Sequence, residues 1–475
     1  MLEYLDFDVQ IAPLDERDYS VSVASPAGEA TGTFHLPFDE TALENLRLRL
    51  ENTLLRSSGP ARRGLNEDEQ AVQRFGHALF EALMTDRVGR CYAVSRDRAE
   101  QEGKGLRLRL RIHEQAPGLA ALPWEYLYNK DRGGYLCLSR YTPIVRYLHL
   151  PRQREALHVT PPLRILGMIA SPKSNALHAL DVEKERASLK RDLSGLISRG
   201  LVELEWLPGE TWRDLQRAMR RGPWHIFHFI GHGGFDEQVE EGVQALADEE
   251  GKVKLLHANK LGTLLSAHPS LRLALLNSCE GARASKDNMF SSVGATLARE
   301  GIPAVLAMQY DITDSAAQEL TTTFYESLAD GLPVDAAVTE VRVAIKVGIN
   351  NSLEWGTPVL YMRSSDGVLF TITGGDGVNH RPEPDPPRSL IQSEPIPEPD
   401  PPRPPIQSEA APEDDPPRPP IQSEPPVRAA DATRKEGDTT SLSDCLSTLT
   451  KDNLFTLFMY LTFEHEEKEK SIAFD

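Results

Sequence analysis

Two short segments of this 475-residue chain put a histidine and a cysteine in surroundings that suit thiol chemistry. HIFHFI (225–230) runs into Gly231–His232–Gly233–Gly234, and LRLALLN (271–277) runs into Ser278–Cys279–Glu280–Gly281–Ala282. Among thirteen histidines and four cysteines, only this pair follows apolar, strand-like runs and sits beside glycine. If the two runs are neighbouring strands, both side chains leave the same sheet edge within reach of each other. A thiolate is the nucleophile in cysteine chemistry, and a nearby imidazole lowers the thiol pKa and later protonates the leaving group. Glycines admit a substrate backbone, and the amides of Gly233 and Cys279 could face a developing oxyanion. A cysteine after a buried strand also serves as a small core residue, and a histidine as a hydrogen-bonded structural one. Spacing alone leaves both readings open.

Other chemistries find less support. His225, His228 and His232 do not form a metal set, since 225 and 228 point to opposite faces of a strand, and no HExxH helix exists. Cys91, Cys137, Cys279 and Cys445 contain no CxxC spacing, which argues against a zinc site or a disulfide framework. Neither GxGxxG after a strand nor GxxxxGK[ST] is present, so no nucleotide or other cofactor is implied.

The elements that must position the pair alternate strand and helix. Strands are expected at 163–170, 201–207, 225–230, 271–277 and 302–308. Helices are expected at 180–196, 211–220, 291–299, 314–330 and 334–348. This order predicts an α/β fold, a mostly parallel sheet with helices on both faces, whose ligands bind beyond the carboxyl ends of the strands. A break at Thr160–Pro161–Pro162 sets off a mixed α+β region, 1–160, from the catalytic segment, 161–373. In the leading region, Val72, Phe75, Leu79 and Leu83 share one face of a helix over 67–84. LRLRLRI (106–112) alternates apolar and basic residues like a half-buried strand.

Charge and proline gather at the end. From Gly374 onward the chain has 21 acidic and 10 basic residues and 18 of its 35 prolines. DPPRSLIQSE recurs as DPPRPPIQSE at Asp400 and Asp415, a 15-residue period that favours polyproline II and buries no core. Residues 374–438 thus read as an extended, disordered spacer. Residues 439–475 read as a short helical module whose Leu442, Leu446, Leu449, Leu454, Phe455, Phe458 and Leu461 need a docking surface, which predicts a protein partner for about 442–461. The net charge of −19 speaks against nucleic acid. No apolar stretch approaches membrane-spanning length and no secretory signal is visible, so a soluble cytoplasmic protein is the expectation.

FHFIGHGGF, followed 47 residues after His232 by ALLNSCEGA, resembles the bacterial CHAT proteases, relatives of caspases and separase. LRLRIHEQAPGLAALPWEYLYN (108–129), SRYTPIVRYL (139–148), FSSVGATLAREGIPAVLAMQYDITDSAA (290–317) and WGTPVLYM (355–362) extend the resemblance over roughly 100–373. It implies a caspase-like cysteine endopeptidase with Cys279 as nucleophile and His232 as base and later acid, without a third triad residue. Separase reads a basic substrate side chain with an acidic residue in a segment similar to MQYDITDSAA, which points to Asp311 and Asp314. Asp314 reads equally as the N-cap of a helix starting at Ser315. Glu280 reads as a solvated helix-start carboxylate. Many family members carry Trp where this chain has Gln309 or Tyr310. The resemblance also implies protein substrates and a role in bacterial defence or programmed death, and a catalytically silent scaffold is the rival reading.

Overall fold

Alternation along five consecutive strands decides the architecture. In 163–169, 226–230, 273–277, 304–308 and 358–362, successive side chains enter two different cores. Leu163, Ile165, Ile226, Leu273, Leu275, Leu306 and Leu360 belong to one. Leu166, Met168, Phe227, Phe229, Leu276, Val305 and Val359 belong to the other. A strand buried on both faces needs a helical layer on each side, because a strand sends alternate side chains to opposite faces.

The computed structural model describes residues 2–15, 17–57, 65–148, 154–174, 177, 179–236, 238–278, 292–349 and 353–372. In chain order the leading elements are strands β1 (Tyr4–Pro13), β2 (Asp18–Ser25) and β3 (Gly28–His35), then helices α1 (Glu40–Ser57), α2 (Leu65–Leu83) and α3 (Asp86–Gln101). They are followed by β4 (Gly105–Ile112), α4 (Pro117–Ala120), β5 (Tyr128–Asn129), β6 (Gly134–Tyr135), β7 (Ile144–Tyr147) and β8 (Leu157–Val159). The second half holds β9 (Leu163–Ile169), α5 (Val182–Asp192), α6 (Ser194–Ser198), β10 (Val202–Trp206), α7 (Trp212–Met219) and β11 (Ile226–Ile230). A hairpin sheet of β12 (His232–Asp236), β13 (Glu241–Ala247) and β14 (Val253–His257) leads into α8 (Ala258–Ser266) and β15 (Leu273–Asn277). The last described elements are α9 (Val293–Glu300), β16 (Ala304–Met308), α10 (Asp314–Ala329), α11 (Val334–Gly348), β17 (Pro358–Met362) and β18 (Phe370–Ile372).

Eleven strands form one sheet in the order β10-β9-β11-β15-β16-β17-β7-β4-β1-β2-β3. The first five run parallel to one another, β17 is antiparallel to β16, and β7, β4 and β1 run parallel with β17. The expected mostly parallel sheet with helices on both faces is therefore present. Helices α5, α6, α10 and α11 pack on one face, while α7, α8 and α9 pack on the other. The sheet also runs without interruption across the Thr160–Pro161–Pro162 break, because β17 pairs with both β16 and β7. The expected helix over 180–196 divides at Leu193 into α5 and α6. None of the described helices is long and apolar enough to cross a membrane.

The LRLRLRI strand departs from expectation. It is buried on both faces, with Arg107 and Arg109 inside, instead of presenting its basic face to water. The reason is its parallel partner, whose Asp6 and Asp8 stand in register with Arg107 and Arg109. Asp8 grips Arg109 with both oxygens, at 2.7 and 2.5 Å. Arg107 donates to Asp335 Oδ2 at 2.6 Å, to Asp6 at 3.1 Å, and to the carbonyls of Ser365 and Asp366. Gly367 (φ +73°) leaves room for this contact, since a Cβ there would lie 2.4 Å from Asp335 Oδ1. Breaking a buried pair on one side leaves an uncompensated charge, so Asp335→Ala should cost about 3–5 kcal/mol. Replacing Arg107 and Asp335 together with Met and Leu should cost less than Asp335→Ala alone. Urea unfolding of both variants tests this, and an equal or larger loss in the double variant would refute it.

Candidate active site

The carboxyl ends of β9, β11, β15 and β16 form one edge of the sheet. Ile230 is the register partner of both Ile169 and Asn277. The ladder continues one residue further, with Ala170 donating to the Ile230 carbonyl at 2.9 Å and Gly231 to the Asn277 carbonyl at 3.3 Å. At Gly231 the chain leaves the sheet; a Cβ here would lie 2.5 Å from Phe229 Cζ and 3.3 Å from the Ala170 carbonyl. A side chain would strain this exit. His232, half-buried, opens β12 and pairs with Ala245, and Gly233 pairs with Gln244.

On the neighbouring strand, Ser278 follows Asn277 and is 3% exposed. Gln244, fully buried in β13, donates from Nε2 to Ser278 Oγ at 3.1 Å. Cys279 and Glu280 lie outside the described residues, as do the 385–424 repeat and the 442–461 segment.

The remaining histidines of this stretch are structural. His225 Nδ1 accepts from the Arg164 amide at 3.0 Å, and burial lowers its pKa to about 4. His228 contacts the Tyr325 hydroxyl at 3.0 Å, and burial lowers its pKa to about 3, which keeps the imidazole neutral. Both described cysteines are buried: Cys91 Sγ contacts Ser25 Oγ, and Cys137 Sγ donates to the Glu125 carbonyl at 2.8 Å. Burial pushes the Cys137 thiol up to about 12, far from nucleophilic at neutral pH.

Asp311 is exposed in the loop that leaves β16, the strand beside β15. The N-cap of α10 is Thr313, whose hydroxyl accepts from the Ala316 amide, so the alternative reading of Asp314 as that cap is corrected. A threonine oxygen reaches the third amide of the first turn as well as a carboxylate does. Asp314 is instead the first helical residue and pairs with Lys184 at 2.6 Å on the surface.

The Asp311 loop is anchored from below by residues that sequence reasoning did not assign. Glu125, in the Leu122–Pro123–Trp124–Glu125 turn, is 1% exposed and holds Arg146 through two bonds of 3.2 and 2.8 Å. Burial would depress the Arg146 pKa, but the Glu125 carboxylate reverses this and leaves it raised. Gln309 donates from Nε2 to Glu125 Oε2 at 3.2 Å and to the Gly356 carbonyl at 2.7 Å. Glu354, also buried, accepts from the Thr313 amide at 2.5 Å. An available signal was the arginine inside the apolar run Ile144–Tyr147, which demands an internal counter-charge.

The sequence matches the CHAT domain over residues 73–361, more than half of its length, and the chain belongs to that family. None of the curated proteins matches it. Among solved structures, the Saccharomyces cerevisiae separase–securin complex is 13% identical with a TM-score of 0.43, over 76% of this chain and 30% of that one. A secreted C11 cysteine protease from Bacteroides thetaiotaomicron, bound to an irreversible peptide inhibitor, is 12% identical with a TM-score of 0.28, over 39% of this chain and 58% of that one.

The anchor gives a graded expectation. Glu125→Ala leaves Arg146 charged and buried without its partner, at about 3–5 kcal/mol. Gln309→Leu leaves that pair intact and strands one carbonyl, at about 1–3 kcal/mol. Urea titrations of the two variants check the order, and equal losses would contradict it.

Proposed function

We propose that this chain is a cysteine endopeptidase that uses His232 and Cys279 as a catalytic dyad. The observation that carries the reading is register. Ile230 and Asn277 are partners on adjacent parallel strands, which run about 4.8 Å apart. His232 and Cys279 each follow their register residue by two positions, a span of at most about 7 Å of chain. Membership of the CHAT family supports the same assignment.

In this reading His232 takes the Cys279 proton and the thiolate attacks the scissile carbonyl carbon. The amides of Gly233 and Cys279 bind the oxyanion, and the imidazolium protonates the departing amine. Water, deprotonated by His232, then releases the acyl group and regenerates the thiol. Asp311, exposed beside this edge, would receive a basic side chain before the cleaved bond. Asp314, engaged by Lys184, contributes less. Cys279→Ala and His232→Ala should each abolish cleavage of an Arg-containing peptide with the melting temperature unchanged. Asp311→Asn should lower kcat/KM for that peptide roughly ten- to a hundredfold, the scale of one charge-assisted contact. Near wild-type cleavage by either dyad variant would sink the assignment, and a profile preferring acidic or apolar residues would sink the role of Asp311.

Protein substrates and a role in bacterial defence are proposed on the sequence resemblance, and a cytoplasmic setting is proposed with them. The 442–461 segment is proposed to bring the enzyme to a partner, with the proline-rich repeat as its tether. Tethering raises local concentration without any new contact at the active site. Removing residues 374–475 should therefore leave cleavage of a small peptide unchanged while abolishing partner-dependent cleavage. A large rise in basal rate on truncation would indicate autoinhibition and overturn the recruitment reading.

A further inference from the structure

Gln244 is the anomaly near the candidate site. It is completely buried within Gly242–Ala247, a run that is otherwise small or apolar. A buried amide costs free energy unless its hydrogen bonds are made, and leucine would fill this position without that cost. Among the described residues only one side-chain bond is made. Nε2 donates to Ser278 Oγ at 3.1 Å, while Oε1 has no partner among the described residues. Strand geometry explains how the side chain reaches Ser278. Paired residues of an antiparallel ladder project to the same face, and opposite Gln244 stands Gly233, which has no side chain in the way.

The result ties strand β12 to the residue that follows β15. Through the backbone ladder, Gln244 lies opposite the residue that follows His232. Through its amide, it holds the residue that precedes Cys279. We propose that Gln244 is a positioning residue, fixing the start of the nucleophile segment relative to the histidine strand by way of the Ser278 hydroxyl. This rests on the dyad reading above. A thiol and its base must meet within hydrogen-bond reach, and displacements near 1 Å cost rate rather than affinity. An Oε1 without a partner among the described residues fits this purpose, because an amide kept for packing would be better replaced by a hydrocarbon.

The test uses the full chain, an Arg-containing fluorogenic peptide, and iodoacetamide labelling of Cys279 read by mass spectrometry across pH. Gln244→Met keeps the length and volume but removes the donor. It should lower kcat ten- to a hundredfold with KM within twofold, and move the labelling profile to higher pH. Ser278→Ala should reproduce the effect, the double variant should be no worse than the poorer single one, and Ser278→Thr should retain activity. A kcat within twofold of wild type for Gln244→Met overturns the inference, as do additive losses in the double variant. An unmoved labelling profile with equal losses in Ser278→Thr and Ser278→Ala would reduce Gln244 to packing. The two readings fail differently. If Cys279→Ala cleaves like wild type, the dyad falls and this inference with it. If wild type is labelled at Cys279 and Gln244→Met matches it, only the inference falls.

Discussion

The buried pair of Glu125 and Arg146 is the constraint on which the candidate edge depends. Removing both charges from water costs several kcal/mol per ion, and only close, well-oriented bonds recover it. Arg146 meets that demand with Glu125, the carbonyls of Leu122 and Ala120, and the ring of Tyr361 at 5.9 Å. Three of these partners lie within residues 120–125, and Tyr361 stands on β17. One charge on β7 therefore dictates where the Leu-Pro-Trp-Glu turn sits, and Gln309 passes that constraint to the loop after β16. The loop bearing Asp311 is exposed, yet its base is held as firmly as the core.

Two kinds of alternation build the sheet. Between β9 and β17, alternate apolar residues feed two helical layers. In β1 and β4 one face is apolar and the other carries charge, with Asp6 and Asp8 facing Arg107 and Arg109 across the strand pair. Arg107 and Arg109 can be interior because carboxylates at matching register, joined by Asp335 from α11 and by the carbonyls of Ser365 and Asp366, take the place of water. Helix and ladder thus meet at a salt bridge instead of a hydrocarbon contact.

These two patterns differ in how visible they are. The limits 334–348 of α11 and the apolar strands β9, β11, β15 and β16 follow from local pattern, as does the face of α2 that buries Val72, Phe75, Leu79 and Leu83. LRLRLRI misleads because its counter-charges lie about a hundred residues earlier, in β1, and no local window contains both. The hairpin sheet β12–β14 went unrecognised for a different reason: HGGFD and VKLLH are short, glycine-bearing or charged, and carry little strand signal. His232 was legible as a residue at a strand exit. Gln244, Gln309 and Glu125 were not, since a buried amide or carboxylate looks like a surface residue until its partner is known. Thr313 displaced Asp314 as the cap because two adjacent residues could each have capped α10, and sequence does not rank them.

Strand β17 sits between two blocks that run in opposite directions, and it is among the last of the described strands to be made. Before it exists, β16 and β7 are each an open edge, and the carbonyls of Gly356 and Thr357, with the carboxylate of Glu354, are absent from beneath Gln309 and Thr313. During synthesis the chain therefore carries two half-sheets that cannot close until residues near 358–362 have emerged, and pairings between such distant segments form slowly. The edge that bears His232 and Asp311 is completed only at that point. A growing chain of this protein thus acquires its finished candidate site after nearly all of the described strands have left the ribosome, an ordering in time set by topology alone.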